Sequence, residues 1–495
     1  METVGNVVGG ASVPALAGAT LLVENPATAT PIAAIPASTA ADTDAAVAAA
    51  RAAADRGPWP SMPAAERAAL LHHALDLLAA QPVLVDIAVA DTGCPRRLSG
   101  AIQTGAAIQW AHALVDAVAT RRTRTLAPST VPVGQSEVEY VPYGVIGVML
   151  PYNFPLGLAG WKLLPALAAG NTAVVKPSPL APMLVDRLFT ALLESDLPPG
   201  VVNLVHGEAA PAVRLAEHPG VDKLTFTGST AVGRALLASA APRVMPVTLE
   251  LGGKSPSVVM PGADLDLAAR GSAFSNYIFS GQVCGATSRI LVHEDEVDDF
   301  VTRLSELAQA LVVGDPSDMA TDIGPVISAA QRTAIEERVE RAVADGATVV
   351  AGGRRPAHVN GGYFYEPTVL TGATNDSWIA REEVFGPVAC VLPYRDLAEA
   401  VTLANDSPYG LCAAVWGKDV DAARQVASRM QAGTVWINDC NVLSPEAPFG
   451  GFKQSGTGRE LGVEGLSEFV QTRHVYTAGD TDVATRAYAL VGSRW

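Results

Sequence analysis

Two side chains able to make and break a covalent carbonyl adduct stand near the middle of this 495-residue chain, a thiol at Cys284 and a carboxylate at Glu250. A thiolate adds to an electrophilic carbonyl and a carboxylate moves protons, so the two supply a nucleophile and a general base. Each lies in a glycine-marked segment: Glu250-Leu251-Gly252-Gly253-Lys254-Ser255-Pro256, and Phe279-Ser280-Gly281-Gln282-Val283-Cys284-Gly285-Ala286-Thr287-Ser288-Arg289. Glu250 follows the apolar run Val247-Thr248-Leu249 and precedes two glycines. That pattern reads as a strand end opening into a tight loop, a common seat for a reacting side chain. By type alone, a cysteine is more often a small buried hydrophobe and a glutamate a solvated charge.

The elements that must position this pair are read from periodicity. From residue 145 onward, short β-branched runs at 145–150, 172–175, 201–205, 224–227 and 247–249 alternate with helical patterns at 182–194, 209–217 and 230–240. Strands spaced this way predict βαβ units and a parallel sheet. Ahead of them, an alanine-rich stretch at 42–55 and amphipathic patterns at 64–80 and 101–120 predict helices. A second alternation follows Cys284, with strands at 289–293, 348–351 and 388–393 and helices at 296–311 and 328–345. The segment 121–139 and the tail from 469 carry polar and β-favouring residues outside both alternations.

Composition narrows the function. The chain is long enough for two or three domains. Its 34 Lys plus Arg against 50 Asp plus Glu give a formal charge of -16. That balance disfavours nucleic acid and anionic membrane as partners. Five scattered cysteines, Cys94, Cys284, Cys390, Cys412 and Cys440, form neither a disulfide framework nor a zinc spacing, and the eight histidines offer no metal motif. The expectation is a cytoplasmic protein without a metal, because the apolar stretch 7–22 has no positive residue before it and Asn153, Lys162 and Asn171 interrupt the apolar region 143–175.

Taken together and in this order, the Glu250 and Cys284 segments resemble the two active-site signatures of the aldehyde dehydrogenase superfamily, and further motifs extend the resemblance over nearly the whole chain. It implies an α/β fold: a Rossmann-like cofactor domain (1–124 and 143–253), a second α/β catalytic domain (254–455) and a small β oligomerisation element (125–142 and 469–495). In Pro151-Tyr152-Asn153-Phe154-Pro155 it makes Asn153 the side-chain donor to an oxyanion. Lys176, before Pro177-Ser178-Pro179, would contact the adenosine ribose. Gly228, Ser229 and Gly233 form a strand, turn and helix start that could face pyrophosphate, although they are not the G-x-G-x-x-G fingerprint. Glu383 would hold the nicotinamide ribose, with Phe385 beside the ring. Tyr152, Phe154, Leu158, Trp161, Val283, Leu443 and Phe449 would surround the substrate tunnel.

The implied reaction is oxidation of an aldehyde to the carboxylic acid through a thiohemiacetal and a thioester on Cys284, with NAD as acceptor. NADP stays open, because Pro179 stands where many NAD-preferring relatives carry a glutamate. No arginine occupies the matched tunnel positions, which favours an apolar aliphatic or aromatic aldehyde. The alternatives are a semialdehyde or coenzyme A acylating dehydrogenase, a thiol esterase, and a non-catalytic scaffold relative. A homodimer or homotetramer is expected.

Overall fold

Residues 1–121, 123–130, 133–483 and 486–492 are described by a computed structural model. The parts of the expected segments at 122, 131–132, 484–485 and 493–495 lie outside the described residues.

The runs Val145–Met149 and Thr172–Lys176 are buried at every position. A strand covered on both faces needs apolar residues throughout, which is why these runs do not alternate. They lie at the middle of an eight-stranded sheet. Its order is Gly456–Thr457, Val247–Glu250, Lys223–Thr227, Val145–Met149, Thr172–Lys176, Val202–Leu204, Asn6–Val8 and Ala11–Val13. The five central strands pair in parallel and the outer ones antiparallel. From Val145–Met149 the chain builds first towards Val202–Leu204, then returns to add Lys223–Thr227 on the other side. The strand order thus reverses there, and in such sheets the crevice beyond the carboxyl ends at that point receives the ligand.

A second, seven-stranded sheet runs Thr348–Ala351, Thr368–Thr371, Val388–Tyr394, Arg289–His293, Pro256–Val259, Cys412–Trp416 and Thr434–Ile437. It is parallel apart from its first pair. Glu250 ends a strand of the first sheet and Pro256 begins one of the second, so the glycine-marked segment between them is the crossing from one sheet to the other. In a separate small sheet, Val470–Ala478 pairs antiparallel with Val133–Pro142, which also takes Arg124–Thr125 and Ser129–Thr130.

Two helix boundaries differ from the periodicity. The first helix spans Ala40–Arg56, earlier than expected, because Thr39 and Asp42 form a capping box. The stretch expected as one helix over 101–120 is instead a π-helical segment, Ser99–Ala106, followed by the α-helix Ala107–Ala119. No single helix among the described residues is long and apolar enough to cross a membrane.

Candidate active site

The loop that delivers Cys284 is bent by three successive left-handed residues, Phe279 (φ 49°), Ser280 (φ 55°) and Gly281 (φ 71°). Such a backbone costs a non-glycine residue about 1–2 kcal/mol, so the surrounding contacts must hold it. Gly281 is required by space as well, since a Cβ there would lie 2.2 Å from the carbonyl oxygen of Gly386. The Cys284 loop therefore abuts the loop of Glu383 and Phe385, and Phe385 is itself left-handed at φ 54°.

Cys284, Glu250 and Asn153 all line one cavity of about 350 Å³. Phe154, Leu158, Trp161, Val283, Leu443 and Phe449 share its wall, joined by Trp110, Phe274 and Trp436. Trp161 stacks on Trp110 and meets Phe449 edge-on, with ring centroids 5.9 Å apart in both cases. Tyr152 departs from the expected tunnel set: it is not in this wall and packs edge-on against Phe385, 6.0 Å away. Its neighbour Phe154 faces the cavity while Tyr152 turns towards the Glu383 loop, where Glu383 is a nearby charge.

Glu250 is 3% exposed, and neither carboxylate oxygen has a hydrogen-bond partner among the described residues. Burial pushes its pKa up to about 8, with Lys162 and Arg459 opposing the shift. The carboxylate lies against Gly450, where a Cβ would come within 2.6 Å of Oε1. The Cys284 thiol is pushed up to about 12, chiefly by burial and then by Glu383 and Glu250. It is a neutral thiol at physiological pH and needs a base when it reacts. The Asn153 Nδ2 donates to the Gln282 carbonyl at 3.0 Å.

Several wall residues escaped sequence reasoning. Lys162 and Glu460 form a buried ion pair, with Glu460 in the cavity wall and Lys162 near enough to Glu250 to oppose its shift. Lys162 looked only like an interruption of an apolar region, and no local signal marked its partner nearly 300 positions on. The hydroxyl of Thr227, also a wall residue, is buried without a hydrogen-bond partner among the described residues. Trp110 had a signal, its place on a helix read as amphipathic.

At the carboxyl ends of the first sheet lie the residues expected to hold a dinucleotide. Lys176 ends its strand almost buried, and burial lowers its pKa to about 8 against the opposing charge of Glu208. Ser229 caps the helix Thr230–Ala240, its side chain accepting from the Val232 N–H at 3.4 Å. A Cβ at Gly228 would meet the Phe226 ring at 2.3 Å, and one at Gly233 would meet Leu251 at 2.6 Å. Glu383 Oε1 accepts from the Gly253 N–H at 3.0 Å, and its other oxygen leaves no room for a Cβ at Gly252. A cation, a helix start and a carboxylate are the groups that suit the charge of a diphosphate and the hydroxyls of riboses. Among the described residues, no group of three or more His, Cys, Asp or Glu could hold a metal ion.

This geometry agrees with what the chain is similar to. Residues 15–475 match the model of the aldehyde dehydrogenase family. An aminoaldehyde dehydrogenase of Arabidopsis thaliana is 40% identical over 92% of this chain and 93% of its own length. A 2-hydroxymuconic semialdehyde dehydrogenase of Pseudomonas sp. (strain CF600) is 39% identical over 96% and 99%. The crystal structure of a betaine aldehyde dehydrogenase of Staphylococcus aureus in complex with NAD+ superposes with a TM-score of 0.94, at 35% identity over 97% of this chain and 96% of that one. The chain belongs to the aldehyde dehydrogenase family. It is an NAD-dependent enzyme that oxidises an aldehyde to the carboxylic acid.

Proposed function

We propose that Cys284 is the nucleophile, Glu250 the general base, and Asn153 together with the Cys284 N–H the donor pair for the oxyanion, acting on an apolar aliphatic or aromatic aldehyde. The observation that carries this proposal is the apolar cavity that all three residues line. As the Cys284 sulfur adds to the carbonyl carbon, its proton passes to Glu250, directly or through a water molecule. The carbonyl oxygen becomes an alkoxide, and one preorganised donor to it contributes about 3 kcal/mol. When bound, NAD+ supplies the two-electron acceptor of the oxidation. Once Glu250 has released that first proton to solvent, the thioester left on Cys284 is opened by water, from which Glu250 takes a proton that it hands to the departing sulfur, and the acid leaves with the thiol restored.

Within the crevice, Lys176 would bind the adenosine ribose, and Gly228, Ser229 and Gly233 would bring the helix start against the diphosphate. Glu383 would take the nicotinamide ribose, with Phe385 beside the ring. The resemblance supports 1–124 and 143–253 as the cofactor-binding domain and 254–455 as the catalytic domain, with Glu383 and Phe385 reaching the cofactor from the second and Asn153 and Glu250 serving the reaction from the first. Pairing of Val133–Pro142 with Val470–Ala478 supports an oligomerisation role for that sheet in a homodimer or homotetramer. Five free cysteines and the net charge of -16 support a cytoplasmic enzyme without nucleic-acid or membrane partners.

A second reading is favoured by the rings of Trp110, Phe154, Trp161, Trp436 and Phe449 in the wall, since aromatic faces also attract cations. An aldehyde bearing an ammonium group, as in the names of the aminoaldehyde and betaine aldehyde relatives, would suit them. The absence of an arginine from the wall speaks against a second carboxylate on the substrate. The deciding experiment compares kcat/KM for hexanal, benzaldehyde, 3-aminopropanal, betaine aldehyde and succinic semialdehyde, with NAD+ and NADP+ and with Cys284→Ala as control. Preference for the first two supports the apolar reading, preference for the ammonium aldehydes the second, and preference for succinic semialdehyde overturns both.

A further inference from the structure

The cavity wall includes Ile102 and Ala106 of the π-helical segment Ser99–Ala106. Such wide turns are rare and concentrate at functional sites, because they re-aim side chains at the cost of regular hydrogen bonding. Here the Thr104 hydroxyl satisfies the displaced carbonyls, donating within reach of Ser99 O (3.1 Å) and Gly100 O (3.2 Å). The turn directs Gln103 inward, where it is 1% exposed and its Nε2 donates to the main-chain carbonyl of Asn153 at 2.7 Å. Its Oε1 is buried without a protein partner among the described residues. Core packing alone would be better served by an apolar side chain, so the donor must be what is useful.

Asn153 is held at its other end too. Its Nδ2 donates to the Gln282 carbonyl at 3.0 Å, which fixes which side of the carboxamide carries the hydrogens. Gln282 is tied down in turn, with Oε1 accepting from the Ile327 N–H at 3.0 Å and Nε2 donating to Phe279 O at 3.3 Å. An amide nitrogen carries two hydrogens, so one remains for the cavity. Its direction depends on the main chain at 153, which lies between the strand ending at Met149 and the helix beginning at Pro155 and belongs to neither. Gln103 grips that irregular stretch.

We propose that Gln103 is a positioning residue for the oxidation: by holding the Asn153 carbonyl it sets the direction of the amide hydrogen that meets the alkoxide formed at Cys284. The proposal rests on Asn153 being that donor.

The test is a double-mutant cycle of Gln103→Leu and Asn153→Ala, read as kcat and KM for aldehyde oxidation. A cofactor-free readout runs beside it, the rate of the nitrophenolate burst when Cys284 is acylated by p-nitrophenyl acetate. Gln103→Leu is expected to lower kcat and the burst rate by about ten- to a hundredfold, short of the loss on removing a donor outright, with KM within about threefold. In the Asn153→Ala background it should make no further difference. Gln103→Glu is the second variant and retains a donor only while its acid is protonated, so its rate relative to the unmodified enzyme should fall as pH rises. An unchanged rate in Gln103→Leu overturns the proposal, as does a loss that persists undiminished without the Asn153 side chain, or a flat pH ratio for Gln103→Glu. An Asn153→Ala enzyme with unaltered rates would remove the donor assignment itself, and the proposal with it.

Discussion

The ammonium of Lys162 and the carboxylate of Glu460 meet in an ion pair sealed from solvent, with side chains 0% and 2% exposed. Burial pulls the Lys162 pKa down, while Glu250 and Cys284 pull it upward. The same lysine is the strongest charge opposing the rise of Glu250. A pair so buried is costly to break, because the remaining partner stays uncompensated. Glu460→Gln should therefore destabilise the fold by about 3–5 kcal/mol, measured by denaturant unfolding. An unchanged midpoint would show that the lysine is not held as a cation.

The pH dependence follows from Glu250. Its pKa is raised to about 8, so below that pH it is mostly the neutral acid and cannot accept a proton, and above it the carboxylate predominates. Turnover should climb through about pH 8 in a profile measured from 6 to 10. Replacing Lys162 with methionine removes the opposing positive charge and should move this limb to higher pH. A limb that stays in place would separate the lysine from the base.

Gly450 is the position where a single carbon should disturb the chemistry most directly. The added Cβ of Gly450→Ala would lie 2.6 Å from Glu250 Oε1 and 2.8 Å from Arg459 Cδ, closer than atoms approach. Glu250 must shift, and kcat is expected to fall about tenfold or more, since small displacements of a reacting group are expensive. Steady-state rates at saturating aldehyde measure this, and an undiminished kcat would mean that the Gly450 loop yields instead.

Because burial holds the Cys284 thiol up to about 12, the cofactor-free enzyme should alkylate slowly with iodoacetamide near pH 7 and ever faster up to pH 10. Mass spectrometry of the peptide containing Cys284 follows the reaction. A rate that levels off near neutrality would reveal a resting thiolate, and Glu250 would then be free of the first proton transfer.

The helix from Ser99 marks where local pattern stops being informative. Periodicity over 101–120 reads as one helix, and helical it is, but hydrophobic spacing does not distinguish a hydrogen bond to the fourth residue from one to the fifth. The wide turn is tied to what Gln103 and Thr104 can bond once folded. Tyr152 and Phe154 teach the same lesson. Both stand in one motif two positions apart, yet Phe154 enters the cavity wall while Tyr152 packs on Phe385, because the chain between them has no regular repeat to keep them on one face.

Most strands and helices, and the two residue types able to do carbonyl chemistry, are legible in the order of residues alone. The β-branched runs at 145–150 and 172–175 read as strands, and the glycines at 252, 253 and 281 marked the turns beside Glu250 and Cys284. Those are local constraints, written within a few residues of where they act. What surrounds those side chains emerges with folding: Lys162 paired with Glu460, Gly450 pressed on Glu250, Gln103 holding Asn153. Burial, field and hydrogen-bond geometry depend on residues up to hundreds of positions apart, and they exist only once the two sheets have packed around the cavity.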